Sequence, residues 1–240
     1  MFPTTHWGLF EDIREGETPA RHVALETLAT RYWRPVFLFI RQHDFSTVDA
    51  EDLTQEFFAL WLAKDNFAKP DAAKGRFRDF LQASLRRFLT NAVRAKHAKR
   101  RMPTRGFVSI QALADAEGPA IEPSHGETPE AIFDRAWAIT LVERVLRQLE
   151  REALVTGKQI HFDVFKRRIV QPLLDGLEPP SMLELAAKHS IGEKQAANAL
   201  LTARRAYQRL LQDEIRLYAR SEEEVSTEIR SVFRALSKKG

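Results

Sequence analysis

The sequence predicts an all-α protein of two helical domains joined by a flexible linker, the second containing a helix-turn-helix. Three observations carry that expectation. Apolar residues recur at i, i+3, i+4 and i+7, and no segment alternates as a half-buried strand would. Ser or Thr, twice followed by Pro, stands where helices should begin: Thr18-Pro19, Ser46, Thr128-Pro129, Ser181 and Ser221. Glycine is scarce, 10 of 240 residues, which argues against a loop-rich β protein.

The elements follow in order. A helix from about Pro19 to Arg41 takes Val23, Leu28, Tyr32, Phe39 and Ile40 as apolar contributors, with Pro35 expected to kink or split it. Ser46 caps the next helix, with Asp49 in its first turn, and that helix runs to about Leu62. Residues 63–75 read as a loop. In the third helix Phe77, Phe80, Leu81, Ser84, Leu85, Phe88, Leu89 and Ala92 repeat without a break. Four Pro and several Gly between Met102 and Pro129 mark a linker. Helices are then expected over about Glu130–Glu152 and Phe162–Leu174. Ser181 with Glu184 is a capping box opening a short helix, Ser190-Ile191-Gly192 is a turn, and a long helix starts at Glu193. Ser221 with Glu224 opens a last helix to about Leu236. The expected divisions are 1–101, a linker at 102–128, 129–217, and a C-terminal extension at 218–240.

Composition excludes several classes. With no Cys there are no disulfides, thiolate metal sites or Cys nucleophiles, as suits a reducing cytoplasm. No apolar run approaches the roughly 20 residues of a membrane span, and residues 1–10 lack the pattern of a signal peptide. A cytoplasmic protein away from membranes is expected. His22 and Glu26 lie at i, i+4 but lack a third ligand, and isolated Gly75 and Gly192 build no phosphate-cradling loop. The sequence therefore predicts a non-enzyme with no metal and no cofactor.

Three features point to binding. On the second helix Asp52, Gln55, Glu56 and Ala59 form one polar stripe, while Leu53, Phe57, Leu60 and Trp61 form a face that can bury. From Phe80 to Ala114 there is no acid, but there are Arg86, Arg87, Arg94, Lys96, Lys99, Arg100, Arg101 and Arg105. Arg86, Arg87, Thr90, Asn91 and Arg94 lie off the Phe/Leu stripe, where positive charge can meet a phosphate backbone, and Phe67 and Phe77 are candidates to stack on unpaired bases. In the helix-turn-helix, Leu183, Leu185, Ala186 and Ile191 are expected to supply a core. On its second helix Gln195, Asn198, Thr202, Arg205 and Arg209, with Lys194 before them, form a candidate reading face opposite Ala197, Leu200, Leu201 and Tyr207.

These residues together resemble the extracytoplasmic-function sigma factors, the small two-domain specificity subunits of bacterial RNA polymerase. The run Asp49-Ala50-Glu51-Asp52-Leu53-Thr54-Gln55-Glu56-Phe57-Phe58 is similar to the family's acidic helix. The resemblance implies that Asp52, Gln55 and Glu56 bind the clamp helices of the polymerase β′ subunit. It implies that Lys64, Asn66, Lys74, Arg76, Arg86, Arg87, Asn91 and Arg94 meet the downstream (minus-ten) promoter element, and that the helix-turn-helix reads the upstream (minus-thirty-five) element. Phe2-Pro3-Thr4-Thr5-His6-Trp7 and Arg31-Tyr32-Trp33-Arg34-Pro35-Val36 resemble a subgroup with an extra C-terminal helix. Promoter DNA and core RNA polymerase are the implied partners. Control by an anti-sigma factor, a kinase or the C-terminal helix stays open. Two departures are the long segment Leu141–Leu177 and an acid, Glu193, at the start of the reading helix. The rival expectation is a stand-alone helix-turn-helix transcriptional regulator.

Overall fold

A computed structural model describes residues 18–63, 76–98, 127–219 and 221–237. Among them every regular element is helical and there is no strand. The helices are α1 (Thr18–Arg41), α2 (Thr47–Ala63), α3 (Phe77–Ala98), α4 (Pro129–Val155), α5 (Gln159–Phe165), α6 (Gln171–Asp175), α7 (Met182–Lys188), α8 (Glu193–Arg216) and α9 (Glu222–Ser237). A π-helical turn, Lys166–Val170, joins α5 to α6. The chain divides into two compact units. One runs to Trp137 and includes Leu217–Arg220, and the other takes Ala138–Arg216 and Ser221–Lys239.

The first unit is built on aromatic rings. In α1, Leu28, Tyr32, Trp33, Val36, Phe39 and Ile40 are buried, whereas Val23 is exposed to solvent. Pro35 does not split the helix, which continues to Arg41. Proline only removes the donor to the Arg31 carbonyl, and the apolar residues buried on both sides of it hold the helical path. Asp44, with φ of 58°, ends the segment, and the Asp49 N–H donates to Ser46 Oγ at 3.1 Å to open α2. The buried stripe of α2 is Ala50, Thr54, Phe57 and Phe58. It is rotated from the expected one: Leu53 is half-buried and Leu60 exposed. The Thr54 hydroxyl satisfies itself by donating to the Ala50 carbonyl at 2.6 Å, so threonine can occupy the core stripe.

In α3, Phe77, Leu81, Leu85 and Leu89 are buried at four-residue spacing. Tyr32 meets Phe77 edge-on at 5.2 Å, Trp33 stacks on Phe58 at 5.8 Å, and Phe57 meets Phe88 at 5.4 Å. Each such pair adds about 0.5–1.5 kcal/mol beyond its buried area. The start of α4 belongs to the same core: Phe133 lies 6.5 Å from Tyr32 and 6.3 Å from Phe39. A polar ladder runs beside these rings. Arg78 Nη1 reaches Asp134 Oδ1 at 3.2 Å, Gln82 Nε2 donates to the same oxygen at 3.0 Å, and Arg86 Nη1 lies 3.3 Å from Glu130 Oε1. Arg78 is buried with its guanidinium 4.1 Å from the Trp137 ring centre. Burial pushes the Asp134 carboxyl above its ordinary range although Arg78 and Arg76 oppose the shift. The helix starting at Pro129 therefore gives its first turns to the first unit.

In the second unit, α8 packs against α5, α7 and α9. The remainder of α4 buries Leu141, Val142, Val145, Leu149 and Ala153. It ends at Gly157, whose φ of 68° lets the Lys158 N–H turn back to the Ala153 carbonyl at 2.7 Å. The C-terminal helix α9 buries Val225, Glu228, Val232 and Leu236, one stripe, and packs on α8 and α6. The Glu224 N–H donates to Ser221 Oγ at 3.2 Å as its cap.

Candidate nucleic-acid interface

The acidic stripe is on the outside of α2. Asp52 and Glu56 are exposed and Gln55 is half-buried, because the opposite face is held in the aromatic core by Phe57 and Phe58. Among the described residues neither Asp52 nor Glu56 forms an ion pair, so both carboxylates are presented to solvent.

On α3, Arg86, Arg87, Thr90 and Asn91 are all exposed, as the Phe/Leu stripe requires. They are not equivalent. Arg86 is engaged with Glu130, and the Thr90 hydroxyl donates to the Arg86 carbonyl at 2.9 Å. Arg76 makes a two-pronged pair with Asp79, Nε to Oδ2 and Nη2 to Oδ1, both at 2.9 Å. A phosphate would have to compete with that carboxylate, so Arg87 and Asn91 are the better-presented groups. Arg94 lies on α3 with its side chain outside the described set. Lys64, Asn66, Phe67 and Lys74 lie outside the described residues, as does nearly all of the expected linker. Phe77 is not a stacking platform: it is 3% exposed and part of the core. His43, Arg86, Leu89, Thr90 and Val93 line an open depression of about 470 Å³ beside this face.

The segment expected to be a helix-turn-helix, α7, the turn and α8, is built from local rules. Ser181 Oγ accepts the Glu184 N–H at 3.2 Å, while Glu184 Oε2 accepts the Ser181 N–H at 2.6 Å. Those bonds hold the Glu184 carboxyl below its ordinary value. After α7, Ser190 adopts a left-handed φ of 52°, with its N–H on the Ala187 carbonyl at 3.2 Å and the Ile191 N–H on the Ala186 carbonyl at 3.1 Å. This is a Schellman turn made without glycine. Leu185 and Ala186 are buried as expected, but Leu183 is 67% exposed and Ile191 only half-buried.

Along α8 the buried stripe is Ala196, Ala199, Ala203, Tyr207 and Leu210, not Ala197, Leu200 and Leu201. Small alanines let α8 approach its neighbours closely, and Tyr207 then packs on Phe165 with ring centres 5.0 Å apart. Its burial drives the phenol far up from its ordinary pKa. The outward face carries Lys194, Asn198, Thr202 and Arg205, all exposed. Two other expected readers are committed within the fold. Gln195 Oε1 accepts the Gly192 N–H at 2.9 Å, capping the helix start. Arg209 pairs with Glu152 at 2.7 Å and lies 3.6 Å from Asp213.

Asp163 on α5, which sequence reading passed over, anchors the motif from behind. Its Oδ2 accepts from Lys188 Nζ at 2.9 Å and His189 Nε2 at 2.9 Å, and Arg167 Nε reaches the same oxygen at 2.8 Å. Burial works to raise this carboxyl's pKa, but the three donors outweigh it and leave it below the ordinary value. The Asp163–Arg167 spacing of i, i+4 was visible in the sequence, whereas its two partners in the motif lie 25 and 26 residues away.

Among the described residues no group of three or more His, Asp or Glu side chains gathers to hold a metal ion, and no helix is long and apolar enough to cross a membrane. Comparison of the chain with protein-family models, with curated proteins and with solved structures finds no match.

Proposed function

We propose that the protein is a dissociable transcription-initiation factor of the sigma type, acting without chemistry of its own. The observation that carries this reading is the exposed pair Asp52 and Glu56 on α2, in the same compact unit as the exposed Arg87 and Asn91 of α3. One unit thus offers an acidic docking stripe for a protein and a polar, basic face for nucleic acid. In this reading Asp52, Gln55 and Glu56 meet the clamp helices of RNA polymerase. Arg86, Arg87 and Asn91, with Lys64, Asn66, Lys74, Arg76 and Arg94, meet the downstream promoter element. The outward face of α8 supports an upstream contact to duplex DNA through Lys194, Asn198, Thr202 and Arg205.

The test is binding of the purified protein to bacterial core RNA polymerase beside the Asp52→Arg/Glu56→Arg variant. Tight binding that the double reversal abolishes is the expected result. Sequence-specific duplex binding by the protein alone, with no affinity for core enzyme, would replace the reading with a stand-alone regulator.

A further inference from the structure

The outward face of α8 is not purely polar. Leu201 is 47% exposed, and Ala197, one turn earlier, is exposed as well. With the buried stripe centred on Ala196, Ala203 and Tyr207, Leu201 lies near the middle of the opposite side. Lys194, Asn198, Leu201 and Arg205 follow one another at spacings of four, three and four residues, a single line along the helix. From Lys194 to Leu201 that line covers about 10 Å, or about three base steps of B-DNA.

We propose that Leu201, with Ala197 beside it, is a specificity-determining residue that packs on thymine methyl groups in the major groove. The upstream duplex selected by this protein then carries A·T pairs where the third turn of α8 meets the bases. The proposal rests on reading α8 as the DNA-reading helix and deepens that reading. Its chemistry is limited by what lies beside Leu201. Lys194, Arg204 and Arg205 are exposed around it, so an apolar protein or lipid surface would have to strand those charges. Duplex DNA supplies phosphates on both walls of the groove for the cations, and on its floor the thymine C5-methyl is the distinctive apolar group. Asn198, one turn before and beside Leu201, has the donor and acceptor pair that matches adenine. A leucine and an asparagine on one face therefore read the same kind of base pair by two different contacts.

The experiment uses the full chain, with and without core RNA polymerase. Duplexes are first selected from a random library. The enriched duplex is then remade with uracil in place of each thymine, which removes only the methyl group, and binding is compared for the wild type, Leu201→Ala and Leu201→Met. Wild type should bind the matching uracil duplex about fourfold more weakly per methyl lost, the scale of one buried methylene. Leu201→Ala should lose most of that difference, keeping only what Ala197 contributes, and Leu201→Met, which keeps apolar surface, should keep the preference. Equal wild-type binding to both duplexes overturns the role of Leu201 while leaving α8 as a DNA reader. If no duplex is enriched under either condition, the DNA-reading assignment of α8 fails and the role of Leu201 fails with it.

Discussion

His189 Nε2 donates to Asp163 Oδ2 at 2.9 Å, and that bond fastens the C-cap residue just after α7 to α5. Lys188 and Arg167 share the carboxylate, so one side chain of α5 holds the end of α7 and the start of the turn into α8. Replacing Asp163 with Ala is expected to lower the stability of the second unit by about 1–2 kcal/mol, since charge-assisted bonds at a part-exposed site are lost. Urea unfolding of the two proteins measures the difference.

Stability should fall with acid in two steps. His161 is held below its ordinary pKa by burial and by Lys158, and its Nδ1 has no hydrogen-bond partner. A depressed folded pKa means stability that is present above the unfolded value, about 6.5, and lost as pH falls through the lower folded value. Asp163 has the same sign with an unfolded value near 3.9, so its share disappears only in stronger acid. His161→Gln should remove the first step and Asp163→Asn the second, read from unfolding midpoints between about pH 2 and pH 7.

Ser190→Gly is expected to stabilise the protein. Serine at a φ of 52° carries a left-handed penalty of about 1–2 kcal/mol that glycine avoids, offset in part by glycine's greater freedom when unfolded. The net gain should be about 1 kcal/mol, seen as a higher unfolding midpoint. A lower midpoint would mean that the Schellman geometry is not what limits this turn.

Arg78 and Arg87 separate folding from binding on one helix. Arg78→Ala removes a buried guanidinium from Asp134 and the Trp137 ring and should cost about 2–4 kcal/mol. Arg87 is exposed, and Arg87→Ala should leave stability within about 0.5 kcal/mol. If α3 meets DNA as proposed, the order reverses: loss of Arg87 should lower the slope of log affinity against log salt by about 1, one phosphate contact. Paired denaturation and salt-titration measurements decide both points.

How much of this was legible depends on the range of the interaction. The caps at Ser46, Ser181 and Ser221 are local, each closed within three residues, and all three stand where the sequence marks them. The exposed Asp52 and Glu56 of α2 and Arg86, Arg87, Thr90 and Asn91 of α3 were legible because a run of large apolar residues stands opposite them, although the inner stripe of α2 is rotated toward Ala50, Thr54 and Phe58. On α8 the choice was open. Alanines stand on both sides of that helix, and the larger apolar side chains, Leu200 and Leu201, mark the other side from the one that is buried. Only the close approach of neighbouring helices makes Ala196, Ala199 and Ala203 the inner face. The ladder from Arg78 to Asp134 and the bonds at Asp163 join residues far apart in sequence. In sequence those residues look like ordinary surface charges.

Gln195 spends its amide oxygen on the Gly192 N–H. A side chain folded back on its own helix start is not extended toward a base edge, and freeing it would leave the N-terminus of α8 one partner short. Lys194 and Asn198 carry no such duty. If α8 reads DNA as proposed, an alignment of the selected sites should therefore show a degenerate column beneath Gln195, a blank letter between informative neighbours.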